Sequence, residues 1–326
     1  MLIKGITQLN QVISETERNQ ILIKISNSHL ADESGSIHYG NSSGRQLEFD
    51  EIFDRLTTVV SELTNLKLSK ENSYSRIYRN GSYLRGHTDR EGLDLTLSIQ
   101  IDNTFDESHS IFARGYDGTV YESKLNNSDG VLIKGRELEH WRPEINGMGS
   151  LICVFFHWKI ESVEYQEIDN FLTGEECDAI INEGIDLQKS MVLINKKVTH
   201  EPKIRDNEVG FYKNESIDEK VKSLFGNLKL EGLQILKYSK GNKFTPHFDE
   251  AYGDFKRLFT VIIYLNDDYV GGETNFVNAK IKIKPQKGKL LIWKNSKASI
   301  TDPLTLHESL PIKKGVKFAL VNWGLV

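Results

Sequence analysis

The chain has 326 residues, a length that suits two domains or one large barrel or sandwich. Lys plus Arg is 41 against 46 Asp plus Glu, a formal charge of −5, which argues against a protein built to neutralise phosphates. With 38% apolar and 27% charged residues the composition is that of a globular chain with a core, and no run of about 18 apolar residues is present to span a membrane.

The N-terminal residues carry none of the regions of a secretory leader, so none is expected. The two cysteines, Cys153 and Cys177, sit in apolar or helical patterns. They are expected as buried free thiols, which points to a reducing, cytoplasmic compartment.

Along the chain, residues 7–28 and 48–65 are expected as amphipathic helices. Ile21, Ile25, Ile52, Leu56, Val60 and Leu63 fall at near-helical spacing within them. A segment Tyr78-Arg-Asn-Gly81-Ser-Tyr-Leu-Arg-Gly-His87-Thr-Asp89 follows. Residues 93–101, 131–133 and 151–158 read as strands. The polar stretch 159–166 marks a boundary. Thr173-Gly-Glu-Glu176 has the form of a capping box opening a helix to about residue 187, and a second helix covers 216–225. Then comes Tyr238-Ser-Lys-Gly241-Asn-Lys-Phe-Thr-Pro-His247-Phe-Asp249, with strands at 258–265, 290–293 and 318–323.

The two quoted segments share one pattern, Tyr-x-x-Gly-x-x-x-x-x-His-x-Asp, without a gap. Each lies after two helices and before a β-rich region. The chain therefore reads as an internal repeat, with domains 1–162 and 163–326. Many short strands separated by turns predict a mainly β fold with flanking helices (α+β), each half a sandwich or jelly roll.

In a strand, residues two apart share a face, so His247 and Asp249 can reach one metal ion. His307 is the candidate third ligand. Two histidines and a carboxylate on one octahedral face leave positions open for a chelating co-substrate and O2, the donor set of non-haem Fe(II) oxygenases. Lys317, entering the last strand, could pair with the far carboxylate of a dicarboxylate co-substrate.

The second half resembles the catalytic domain of the prolyl 4-hydroxylase group of 2-oxoglutarate/Fe(II)-dependent dioxygenases. The resemblance rests on Tyr238-x-x-Gly241, His247-x-Asp249, Arg257-Leu-Phe-Thr260, Tyr264-Leu265-Asn266, Gly271-Gly272-Glu273-Thr274-x-Phe276, Pro285-x-x-Gly288, His307 and Gly315-x-Lys317, in family order. It implies a double-stranded β-helix (jelly-roll, cupin-like) in which His247, Asp249 and His307 bind iron. Lys317 would hold the distal carboxylate of 2-oxoglutarate, with Tyr238 and Thr260 as further contacts. Fe(II), 2-oxoglutarate and O2 are the implied cofactors, with ascorbate as an accessory reductant. The segment His307-Glu-Ser-Leu-Pro departs from the small residue and glycine usual after that histidine.

The first half resembles a broader set of 2-oxoglutarate oxygenase-like proteins through its His-Thr-Asp-Arg and Glu-His-Trp-Arg segments. His87, Asp89 and His140 are its candidate metal ligands, with Tyr78 in the place of Tyr238. Aligning Gly149 with Gly315 puts Leu151 where Lys317 stands, so the anchoring cation is missing there. Arg142, two residues after His140, is the nearest replacement, ahead of Arg76 and Arg90. The Gly-Gly-Glu-Thr element is replaced by Asp106-Glu-Ser-His109, and His109 and His157 read as histidines satisfied by neighbours.

The expected reaction is hydroxylation of a substrate C–H, a prolyl or other residue of a peptide or protein, with release of succinate and CO2. Tyr252, Phe255 and Trp293 are candidate groove-lining aromatics. A small molecule fits the same residues, and the acidic charge disfavours nucleic acid. Two other classes remain: a non-catalytic recognition role for the first half, and another cupin-like metalloenzyme.

Overall fold

In the computed structural model, residues 5–33, 39–194, 197–249 and 256–325 are described, the side chains of 193 and 194 excepted. The chain divides into two compact units, residues 1–161 and 162–326.

In the first unit, a seven-stranded sheet and a four-stranded sheet are formed among the described residues. The long strands of the larger sheet are Leu68–Ser82, Leu95–Asn103 and Leu151–Ile160, all antiparallel. Their sequence alternation sorts two faces. Leu95, Leu97, Ile99, Val154, Phe156 and Trp158 pack against the helices Glu15–Ser26 and Asp50–Thr64. Thr96, Ser98, Phe155 and His157 instead line a cavity bounded on its other side by the small sheet. The first helix begins later than the periodicity implied. Residues 6–9 pair as a strand with 130–133, Gln11 takes a left-handed φ of 47°, and Ser14 and Glu17 form the capping box.

Leu56 is fully buried in the cluster between helix and sheet. Replacing it with Ala leaves a cavity there and is expected to cost about 2–5 kcal/mol of stability, read from urea unfolding of the whole chain.

The second unit repeats the plan with an eight-stranded and a five-stranded sheet among the described residues. Arg257–Tyr264, Leu290–Lys294 and Lys317–Leu325 form the centre of the larger sheet. Lys317, Ala319, Val321 and Trp323 alternate toward a cavity, while Phe225 of the helix Glu215–Phe225 packs on Phe259 and beside Gly324 on the other face. Thr173 and Glu176 make the expected capping box, but that helix ends at Asn182 rather than near 187, and Gly184 follows at φ +70°. Both cysteines are buried free thiols.

Candidate metal centre and co-substrate cavity

His247 ends the strand Lys243–His247, and His307 opens the strand His307–Ser309. The two are direct cross-strand partners, which places their rings 4.3 Å apart between centroids. Asp249 lies just beyond the strand and turns its carboxylate onto both rings, with His247 Nε2 to Oδ1 and His307 Nε2 to Oδ2 each at 3.7 Å. Each Nδ1–H donates to a backbone carbonyl two residues earlier, Thr245 at 2.8 Å and Thr305 at 3.0 Å. Those bonds fix the tautomer and leave Nε2 of both rings free to ligate.

The electrostatics suit a ligand set. Burial, followed by the His307 ring, pushes His247 down to about 3, so its imidazole is neutral at ordinary pH. Burial would raise the Asp249 carboxyl, but the His307 and His247 rings outweigh it and hold it at about 2. Cis ligands on one octahedral ion stand about 3 Å apart, so a small closure completes three sites on one face. The donor set fits Fe(II).

Thr260 Oγ1 donates to Asp249 Oδ2 at 2.8 Å and accepts from Asn295 Nδ2 at 2.9 Å. Its hydroxyl is thus occupied at the metal end. Its strand partner there is Trp323, whereas Lys317 pairs with Tyr238 at the far end, so Thr260 positions Asp249. Asn295, absent from the sequence reading, completes this support.

Lys317 is 3% exposed. Its Nζ donates to the carbonyl of Gly272 at 2.7 Å and to Ser309 Oγ at 3.3 Å, and lies 5.4 Å from the ring centroids of both Tyr238 and Tyr264. Burial pushes its pKa down to about 7, with Glu273 pulling weakly the other way. The Gly272 carbonyl reaches it because that residue sits at φ +71°, and a Cβ there would come within 2.5 Å of Ile312 Cδ1. This accounts for the second glycine of Gly-Gly-Glu-Thr. Ser309 is the serine of the divergent His307-Glu-Ser segment, and Glu308 accepts from Asn275 Nδ2 at 2.7 Å.

The triad, Lys317, Tyr238 and Thr260 all line one cavity of about 360 Å³. Met191, Ile204, Phe244 and Phe248 line it as well, and three of them are open to solvent: Met191 at 48%, Ile204 at 37% and Phe248 at 37%. Trp293, expected in the groove, is fully buried behind the metal site, 4.7 Å from the His307 ring and 5.4 Å from Phe276 between centroids. Tyr252 and Phe255 lie outside the described residues.

The first unit builds the same constellation. His87 and His140 are cross-strand partners with ring centroids 4.3 Å apart, and each Nε2 stands 3.7 Å from Asp89 Oδ1. Their Nδ1–H groups donate to Arg85 and Leu138 carbonyls at 2.9 and 3.0 Å. Burial, followed by the His140 ring, lowers the His87 pKa. Thr96 Oγ1 donates to Asp89 Oδ2 at 2.7 Å and accepts from His157 Nδ1 at 2.9 Å. His157 therefore supports the site as Asn295 does in the second unit.

The cavity around this triad is about 470 Å³ and is lined by Arg76 and Arg90, but not by Arg142 or Tyr78. Arg142 is buried instead against the Tyr78 ring, with its Nη1 donating to the His109 carbonyl. Arg76, which the sequence ranked behind Arg142, projects from the inner face of Leu68–Ser82 and makes a two-point ion pair with Glu33 at 2.9 and 3.1 Å.

Each unit brings two histidines from neighbouring strands and one carboxylate close enough together to hold a metal ion, in a mainly β frame consistent with the double-stranded β-helix of facial-triad oxygenases. Residues 233–324 match the family model described as the 2OG-Fe(II) oxygenase superfamily. The C-terminal half thus carries a 2OG-Fe(II) oxygenase domain, whose cofactors are Fe(II) and 2-oxoglutarate, and the chain is an enzyme of the prolyl 4-hydroxylase-like kind. It is 28% identical over 229 residues to "Probable prolyl 4-hydroxylase 8" of Arabidopsis thaliana, spanning 58% of this chain and 76% of that protein. It is 25% identical over 237 residues to "Prolyl 4-hydroxylase 5" of the same plant, spanning 62% and 79%. Among solved structures, a viral collagen prolyl hydroxylase from Paramecium Bursaria Chlorella virus-1, in its 2OG complex, is 27% identical with a TM-score of 0.41, covering 50% of this chain and 96% of that one.

Proposed function

We propose that the second unit hydroxylates a prolyl side chain of a peptide or protein at a centre held by His247, Asp249 and His307. The observation that carries this reading is Lys317, a buried cation sharing one cavity with the triad. When bound, Fe(II) with 2-oxoglutarate supplies O2 activation and C–H hydroxylation, with release of succinate and CO2.

The chain's own residues place and shelter that chemistry. His247, Asp249 and His307 present three donors from one side, and Thr260 with Asn295 holds the carboxylate in place. Lys317 takes the distal carboxylate, and Tyr238 and Tyr264 wall the far end against water. Phe244, stacked at 3.5 Å between centroids on His247, joins Met191, Ile204 and Phe248 as an apolar approach suited to a pyrrolidine ring. Ascorbate is the proposed accessory reductant and the cytoplasm the proposed location.

We also propose that the first unit is a diverged copy of the second, with its own metal centre at His87, Asp89 and His140. The matching distances, carbonyl contacts and threonine support of the two triads favour this reading.

A proline-containing peptide incubated with the chain, Fe(II), 2-oxoglutarate and O2 should gain the mass of one oxygen atom. Succinate released while the prolyl residue stays unmodified would refute the prolyl assignment.

A further inference from the structure

Strand register allows the two cavities to be compared residue by residue. Lys317 faces Tyr238 across paired strands, and Leu151 faces Tyr78 in the same way, so the lysine's place is apolar in the first unit. Two residues on, Cys153 faces Arg76 where Ala319 faces Leu236. Two further, Phe155 faces Tyr74 where Val321 faces Gln234.

In the second unit one cavity runs from the triad past Leu236 and Ala319 to Tyr238 and Lys317. In the first unit the cavity beside the triad is lined by Arg76 and Phe155, but not by Tyr78, Leu151 or Cys153. Those three residues are buried with Phe105, Ile145 and Phe155 in one apolar cluster. An aromatic ring in the place of Val321 and a guanidinium in the place of Leu236 therefore close the passage. The space that holds the tail of a chelating dicarboxylate in the second unit is core in the first.

Arg76 itself is already taken. Its Nε and Nη2 donate to the two carboxylate oxygens of Glu33 at 2.9 and 3.1 Å. The Ser42 hydroxyl donates to the same carboxylate at 2.8 Å, and the Tyr74 hydroxyl at 2.9 Å. The Tyr39 ring covers the guanidinium, 3.8 Å from its carbon. Burial would raise the Glu33 carboxyl, but Arg76 outweighs it and holds it below the usual carboxylate range. A two-point pair of this kind is strong, and breaking a buried pair strands a charge, so an incoming carboxylate has no open seat there. Arg90, the other cation on the lining, is exposed and turns back to the Glu91 carbonyl at 3.1 Å.

We propose that the first unit is a metal centre that takes no 2-oxo acid, with Glu33 serving as an internal carboxylate seated on Arg76. The chain then holds two metal ions and a single 2-oxoglutarate, at Lys317. This rests on the reading of both triads as metal centres.

The test counts ligands on the full chain. Iron is measured after anaerobic loading with Fe(II), and 2-oxoglutarate is titrated into the loaded chain by calorimetry. Wild type should hold two irons and bind one 2-oxoglutarate. Asp89→Ala should lose one iron and keep the 2-oxoglutarate, whereas Lys317→Ala should keep both irons and lose it. Two 2-oxoglutarate equivalents in wild type, one of them lost in Asp89→Ala, would overturn the proposal. A single wild-type iron, unchanged in Asp89→Ala, would instead sink the reading of the first triad as a metal centre. Undiminished binding in Lys317→Ala would sink the reading of the second unit. Acetate probes the internal seat. Glu33→Ala should melt about 2–4 °C higher in acetate than in chloride of equal ionic strength, a gain absent from wild type and from the double variant with Arg76→Leu. An equal acetate response in wild type and Glu33→Ala would remove Glu33 from that seat. The wild-type count decides the stoichiometry whether or not Glu33→Ala folds.

Discussion

Asp249→Ala is expected to abolish 2-oxoglutarate turnover. The carboxylate is the one anionic donor of the second-unit triad and the group on which both imidazoles converge. Its loss leaves two neutral rings to hold a dication. Removing only supporting contacts around a metal ligand costs roughly 10–100-fold in affinity or activity, so removing the ligand itself should exceed that range. Iron retained per chain should fall by one equivalent, and succinate formation with a prolyl peptide should fall to background. Thr260→Val, which keeps the ligand but removes its hydrogen bond, should lie between this variant and wild type.

Lys317→Ala carries the second large effect. Truncating one partner of a buried charge pair costs about 2–5 kcal/mol, so the KM for 2-oxoglutarate should rise by about thirtyfold or more. Iron content and the fold should stay as in wild type, because the lysine touches no ligand of the triad. The same residue sets a pH dependence. Burial puts its pKa at about 7 when no anion is bound. A carboxylate needs the ammonium form, so affinity is full below that pH and declines above it as the proton is lost, approaching tenfold per pH unit. Initial rates across this range should show KM climbing on the alkaline side in wild type, and a KM insensitive to this ionisation in Lys317→Ala.

Much of the second unit was legible in the sequence because its residues combine into ordered motifs. His-x-Asp, the double glycine and the late Gly-x-Lys each mark a constraint the structure displays: a metal-facing turn, a carbonyl aimed at Lys317, and an inward-pointing strand residue. Strand positions followed from runs of β-formers, and the helix at 173 from its capping box. Periodicity misjudged residues 7–9, which belong to the strand Ile6–Leu9, and Ser14 decides where the helix starts.

What the sequence left hidden depends on register. The pairing of His247 with His307, and of His87 with His140, is a property of antiparallel strands distant in the chain. Asn295 and His157 serve equivalent threonines from unrelated positions, one by an amide and one by an imidazole. The ion pair of Arg76 with Glu33 and the seat of Arg142 on the His109 carbonyl also need the fold to be seen. Leu151 in the place of Lys317 could be aligned through Gly149, yet the contact of Arg142 with the Tyr78 ring needs the fold to be seen.

The most direct measurement of the central claim is succinate released from 2-oxoglutarate by wild type, Asp249→Ala and Asp89→Ala chains, each with Fe(II), O2 and the same prolyl peptide. Prolyl-dependent succinate should persist in Asp89→Ala and disappear in Asp249→Ala. Wild-type release of peptide-dependent succinate by Asp249→Ala would contradict that claim.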